Sequence, residues 1–190
     1  MKYTRIVDEL EQIMRAFFPE QSESLETVIR LTCDVLSSGK KVLVFGNGGS
    51  ASQAQHFAAE LVNKFLKPSP AYRAVSLTTD TAAITSIAND VSYDEVFSRQ
   101  VEALGDSGDL ALALSTSGAS PNILTALRSA RRRKMKTVAF TGERGKNLRK
   151  LADHVLVVPS RETPRIQEVH LLLLHLLAQE VEERLYTESI

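Results

Sequence analysis

Apolar residues recur along this chain in two rhythms. One is the three-to-four spacing of a buried helix face. The other is a short aliphatic or β-branched run bounded by turn residues, the mark of a buried strand. The helical rhythm comes first. Ile6, Leu10, Ile13, Met14 and Phe17 share one face over residues 3–18, and Leu25, Val28, Ile29, Leu31, Thr32 and Val35 share another over 22–36. Pro19 lies between them, so the pattern predicts two helices, the second closed by Ser38-Gly39. Strand-like runs follow at 42–45, 73–77, 109–114, 137–141 and 154–158. Helical segments are predicted between them, from Ala51 onward, over 82–88, over 93–104 and over 121–134, with a turn and a short helix within 142–152. A last, unusually apolar helix runs over 164–185. Strands alternating with helices predict an α/β three-layer sandwich around a five-stranded parallel sheet. The two leading helices exceed what such a sheet needs. Residues 1–38 therefore read as a helical extension packed on the domain and used in oligomerisation, and 39–190 as the sheet domain, in a single globular unit.

Composition narrows the function classes. The chain has 190 residues, 43% of them hydrophobic, enough for one cored domain. Lys plus Arg and Asp plus Glu both number 23, a formal net charge of zero, which argues against a nucleic-acid partner. The basic run Arg131-Arg132-Arg133-Lys134-Met135-Lys136 falls at a predicted helix end, where the dipole favours cations. Cys33 is the single cysteine, so no intramolecular disulfide is expected and a small core residue is. No stretch has the length of a membrane span and no signal-peptide pattern opens the chain, so a cytoplasmic protein without a membrane partner is expected.

The candidate chemistry lies in two loops and the helices beside them. The run 42–45 stops at Gly46-Asn47-Gly48-Gly49-Ser50, and a helix follows. A turn so rich in glycine lets another molecule approach bare backbone, and the first helical N–H groups point into it. His56 and Glu60 come next, four apart and so on one helix face. They are either a solvated surface pair or a proton-transfer or metal-binding pair. The second loop is Ser115-Thr116-Ser117-Gly118-Ala119-Ser120-Pro121, with Ser120 at the N-cap position and Pro121 at the first helical one. A cap uses one hydroxyl, and the other three suit a phosphate monoester. No Walker A sequence is present and the Rossmann glycine pattern is incomplete, which favours a small phosphorylated metabolite over a nucleotide. Both loops follow predicted strands, so both belong to the carboxyl edge of the sheet, where ligands sit. In the last helix Gln167 and His175 interrupt an apolar background and need partners, with Glu168 and His170 as competitors.

Together these residues resemble the sugar isomerase (SIS) domain family over nearly the whole chain. The resemblance rests on Gly46-Asn47-Gly48-Gly49-Ser50, His56-Phe57-Ala58-Ala59-Glu60-Leu61 and Ala88-Asn89-Asp90. It rests equally on Ser115-Thr116-Ser117-Gly118 with Ser120, and on Arg165-Ile166-Gln167-Glu168-Val169-His170 with His175. It implies a flavodoxin-like SIS sandwich. Through members that act on seven-carbon sugars, it implies conversion of sedoheptulose 7-phosphate to D-glycero-D-manno-heptose 7-phosphate. That would be the first step toward ADP- or GDP-heptose precursors of surface polysaccharide such as lipopolysaccharide. The implied substrate contacts are Asn47, Gly48, Gly49, Ser50, Glu60, Asn89, Asp90, Ser115, Thr116, Ser117, Ser120 and Gln167. The resemblance also implies one zinc ion per subunit on His56, Glu60, Gln167 and His175, an acid/base pair of Glu60 and His175, and a homotetramer with active sites between subunits. Lys64 and Pro164 replace an arginine and an aspartate present in some members.

Ketose–aldose isomerisation moves a proton between adjacent carbons through an enediol and needs a base and an acid. Glu60 is expected to take the proton and His175 to serve the carbonyl oxygen. Zinc could act as a Lewis acid or as a structural ion, and a metal-bound Glu60 would be a weaker base. Gln167 and His175 are eight residues apart, ~12 Å along a helix axis, so the ligand set is expected to draw on more than one chain. The alternative is a non-catalytic SIS adapter that binds the bacterial replication initiator. Such proteins lack the glutamate and histidine that correspond to Glu60 and His175. A module that binds a sugar phosphate without turning it over is a third reading.

Overall fold

Strands β1 (Val42–Gly46), β2 (Ala74–Ser76), β3 (Leu110–Ser115), β4 (Lys136–Gly142) and β5 (His154–Val158) form one parallel sheet in the order β2-β1-β3-β4-β5. The structure is a computed structural model and describes residues 2–186. Among the described residues six α-helices surround the sheet: α1 (Lys2–Ser37), α2 (Gly49–Val62), α3 (Thr81–Asp90), α4 (Ser98–Leu104), α5 (Pro121–Arg132) and α6 (Thr163–Leu185). Val42, Val44, Leu110, Leu112, Leu114, Val138, Phe140, Leu156 and Val158 pack into a core with α1, α2 and α6. Leu43, Phe45, Ala111, Ala113, Ala139, Val155 and Val157 pack on the other face with α3, α4 and α5. Burial on both faces is why the strands read as continuous apolar runs without alternation. The predicted three-layer parallel sandwich is the observed architecture.

The strand order positions the site. The chain moves from β1 to one edge with β2, then returns past β1 to place β3 on its other side. Gly46 pairs in register with Leu114, so the glycine turn after β1 and the serine loop after β3 emerge side by side. This reversal is the crevice at which open α/β sheets bind ligands. On the first face α2 and α6 run alongside one another in the same direction. Gln53 Nε2 on α2 donates to the Gln167 carbonyl on α6 at 2.7 Å, and His56 reaches His175 further along both helices.

The predicted break at Pro19 is absent, because α1 continues through it from Lys2 to Ser37. A proline inside a helix forfeits the N–H bond to the carbonyl four residues back, here Arg15. Packing on either side overrides that loss. Phe17 before the proline and Leu25 and Val28 after it are buried in one core, and α1 lies against β5 and α6. Pro19→Ala restores the donor and is expected to stabilise the chain by up to ~3 kcal/mol. Thermal melting checks this, since each kcal/mol moves Tm by about 2–4 °C in a domain of this size.

Two further segments differ from the predicted helices. Residues 93–104 divide into a 3₁₀ turn, Tyr93–Glu95, and α4, while Glu143–Lys150 is 3₁₀. Cys33 is buried in the core as expected. No helix among the described residues is long and apolar enough to cross a membrane.

Candidate active site

The two loops and the start of α6 enclose a cavity of about 300 Å³. Asn47, Gly48, Gly49 and Ser50 line it from one loop, Ser115, Thr116, Ser117 and Ser120 from the other, and Gln167 from α6. The lining also includes Thr163, which sequence patterning does not single out. Helices α2, α5 and α6 all begin at this cavity, and none of the three has a side-chain cap. By contrast, α3 is capped by the Asp80 carboxylate, which accepts from the Ala83 N–H at 2.9 Å. Three uncapped N-termini leave backbone donors and positive dipole ends free for an anion.

Ser120 occupies the N-cap position as predicted, but its hydroxyl caps nothing. The hydroxyls used locally are those of Ser115, which accepts from the Gly118 N–H at 3.1 Å, and Ser117, which accepts from the Ala119 N–H at 3.2 Å. Both keep their own O–H to donate. A phosphate in the cavity would use these donors, so Ser120→Ala is expected to raise KM about tenfold, the equivalent of a hydrogen bond to a charged group. Steady-state kinetics or phosphate competition reads the change.

The glycine turn is held from below by a pair of amides. Asn47 Nδ2 donates to Asn122 Oδ1 and Asn122 Nδ2 donates back to Asn47 Oδ1, both at 2.9 Å. The Tyr93 hydroxyl adds a third bond to Asn47 Oδ1 at 3.2 Å. Asn122 and Tyr93 have no sequence signature, because an asparagine in the first helical turn already has an ordinary capping explanation. Next along the turn, Gly49 makes room for Gln167. A Cβ at Gly49 would stand 2.7 Å from Gln167 Nε2.

His56 and Glu60 resolve into an interacting set. His56 Nε2 lies 2.9 Å from His175 Nε2 and 3.4 Å from Glu60 Oε1, and the Phe65 ring stands 5.6 Å from the His175 ring. His56 thus contacts both His175 and Glu60 within one chain, and the expectation of a ligand set drawn from more than one chain rests on Gln167 alone. The pairing of α2 with α6 brings these side chains together, which a geometry confined to α6 leaves out. Only Gln167 lies apart, with the glycine turn.

Zinc bonds of ~2.0–2.1 Å place neighbouring tetrahedral donors ~3.3 Å apart. The two imidazole nitrogens and the carboxylate oxygen suit such an ion in chemical type, and the two contacts made by His56 are of that order. Among the described residues, no group of three His, Cys, Asp or Glu is already arranged around a metal position, so side-chain adjustment would accompany binding.

The competitors in α6 have other partners or none. Glu168 pairs with Arg165 at 2.6 Å. His170 is fully buried beside Phe140, and among the described residues neither ring nitrogen makes a hydrogen bond of good geometry. Burial pushes its pKa down to about 4 from an ordinary 6.5, and the Thr141 backbone only partly offsets this. A histidine whose folded pKa is depressed stabilises the fold above the ordinary value, and the contribution is lost as pH falls toward the folded one. His170→Leu is therefore expected to flatten the loss of Tm between about pH 6.5 and 4. Asn89 and Asp90 lie at the end of α3, bonded to each other at 2.7 Å and outside the cavity lining.

Comparison with known proteins establishes the family. The SIS domain family model matches residues 5–142. A phosphoheptose isomerase of Thermodesulfovibrio yellowstonii is 43% identical over 97% of this chain and 92% of its own. One from Burkholderia pseudomallei is 46% identical over 96% of this chain and 94% of its own. The solved phosphoheptose isomerase of Neisseria gonorrhoeae superposes with a TM-score of 0.89 at 37% identity, covering 96% of this chain and 97% of that one. Similarity of this extent, spanning both loops and both helices of the histidine cluster, shows that the chain belongs to the SIS domain family and, within it, to the phosphoheptose isomerases.

Proposed function

We propose that the protein interconverts sedoheptulose 7-phosphate and D-glycero-D-manno-heptose 7-phosphate, as a cytoplasmic enzyme at the start of ADP- or GDP-heptose synthesis. The observation that carries the proposal is the cluster of His56, Glu60 and His175 on the same two helices that border an uncharged, donor-rich cavity. The phosphate occupies the cavity, held by backbone N–H groups and by Ser115, Thr116, Ser117 and Ser120. Glu60 removes a proton from C1 while His175 protonates the carbonyl oxygen at C2, which gives the enediol. Return of a proton to C2, with loss of the hydroxyl proton at O1, gives the aldose. Fixing the phosphate end turns this into a positioned, intramolecular-like transfer.

His56, Glu60 and His175 would hold zinc, with Gln167 as the outlying fourth ligand. The ion, when bound, supplies Lewis-acid polarisation of the sugar oxygens. Assembly as a homotetramer with sites between subunits belongs to the same proposal. It is supported by Asn89 and Asp90 lying outside their own chain's cavity, and by Tyr3 and Val7 standing exposed on α1. Light scattering that returned a monomer mass would remove this part.

Incubation of the zinc-supplemented protein with sedoheptulose 7-phosphate tests the reaction. Appearance of the aldose phosphate is the expected result. Its absence would overturn the proposal and favour the adapter or a binding module. The relatives described above speak for the enzyme.

A further inference from the structure

We infer that Glu182 is a positioning residue for His175, acting through the segment after α2 and the ring of Phe65. The inference rests on the role proposed for His175. Glu182 lies seven residues beyond His175 on α6 and shares its face. Its side chain is buried, with the residue only 3% exposed. Three successive backbone N–H groups converge on the carboxylate: Phe65 to Oε1 at 3.1 Å, and Leu66 and Lys67 to Oε2 at 2.9 and 2.8 Å.

Burying a carboxylate is costly unless its oxygens are satisfied, and charge-assisted bonds of this kind offset the cost. They also fix the backbone that carries Phe65. The Phe65 ring stands 5.6 Å from the His175 ring at an interplanar angle of 31°. The His56 ring stands 5.1 Å from His175 at 67°. The imidazole of His175 is thus bracketed by a polar partner and an aromatic wall. Glu182 sets where the wall stands and touches neither the imidazole nor the cavity lining.

The test uses Glu182→Gln, Phe65→Leu and the double variant in the full-length, zinc-supplemented protein. Each single change is expected to lower kcat on the order of tenfold with little change in KM, since slight misplacement of a reacting group is expensive. Because both act through one link, the double variant should lose about as much as either single one and not their product. In the wild-type protein and both variants, the ring resonances of His175 in nitrogen–proton spectra are followed against His154 as a distant control. A shift of His175 alone in both variants supports the link whether or not the sugar is turned over. A failed reaction in the wild-type protein therefore counts against the proposed function and not against this inference. Unmoved His175 resonances, multiplying losses in the double variant, or a Glu182→Gln change that lowers Tm and leaves kcat intact would each overturn it. Phe65 is only part-buried, so Phe65→Leu keeps the test decisive if Glu182→Gln does not fold.

Discussion

Glu60→Gln lowers kcat by roughly 10²–10⁴-fold while the protein stays folded: this is the largest effect expected, set by the usual contribution of a positioned acid or base. The side chain is 19% exposed and lies 3.4 Å from His56. Glutamine preserves its shape and removes its charge and its ability to take a proton. Little of the fold depends on that ability, because the core around α2 is supplied by Ala54, Phe57, Ala58 and Leu61. His175→Gln is expected to behave alike, since it deprives the carbonyl oxygen of its proton donor. Turnover measured beside circular dichroism separates chemistry from folding. Activity within tenfold of wild type in either variant would sink the acid/base assignment.

The second large effect concerns affinity. Gly118 sits in the serine loop with φ +64, and a Cβ there would lie 2.4 Å from Gly145 Cα and 3.2 Å from Thr141 Oγ1. The left-handed conformation costs an alanine about 1–2 kcal/mol, and every 1.4 kcal/mol is a factor of about ten in binding. The overlap with Gly145 backbone adds to this, because backbone cannot swing aside as a side-chain tip can. Gly118→Ala is expected to raise KM well beyond tenfold and to leave kcat at saturating substrate far less affected. Gly48 gives an internal comparison. Its φ is +56 but nothing lies within 4 Å of its Cβ position, so Gly48→Ala carries the conformational cost alone. Equal KM values for the two variants would show that the contact between loops is unimportant.

Much of the architecture is legible in the sequence because parallel strands buried on both faces are unbroken apolar runs. The five predicted strands overlap β1 to β5, and the loops at Gly46 and Ser115 lie on the carboxyl edge as expected. Pro19 misleads because local helix rules assign it a break, whereas the core on both sides of it holds α1 straight through. The glycine and serine loops announce themselves through residue types whose only good use is conformational or polar. Asn122 and Thr163 do not, since each has an ordinary role near a helix start. The meeting of His56 with His175 spans 119 residues of chain, and it becomes visible only when the sheet order lays α2 beside α6.

The cavity lining has a last consequence. Its side chains carry no formal charge, so the grip on an anion comes from oriented dipoles and hydroxyls rather than from an ammonium or guanidinium group. Such a grip responds weakly to ionic strength compared with an ion pair at the surface. As proposed, it would also engage the end of the sugar that does not change during the reaction. In the proposed reaction ketose, enediol and aldose would be held there alike, which is uniform binding: it would set the concentration at which the enzyme saturates and leave the height of the chemical barrier to the histidine and carboxylate further along the helices.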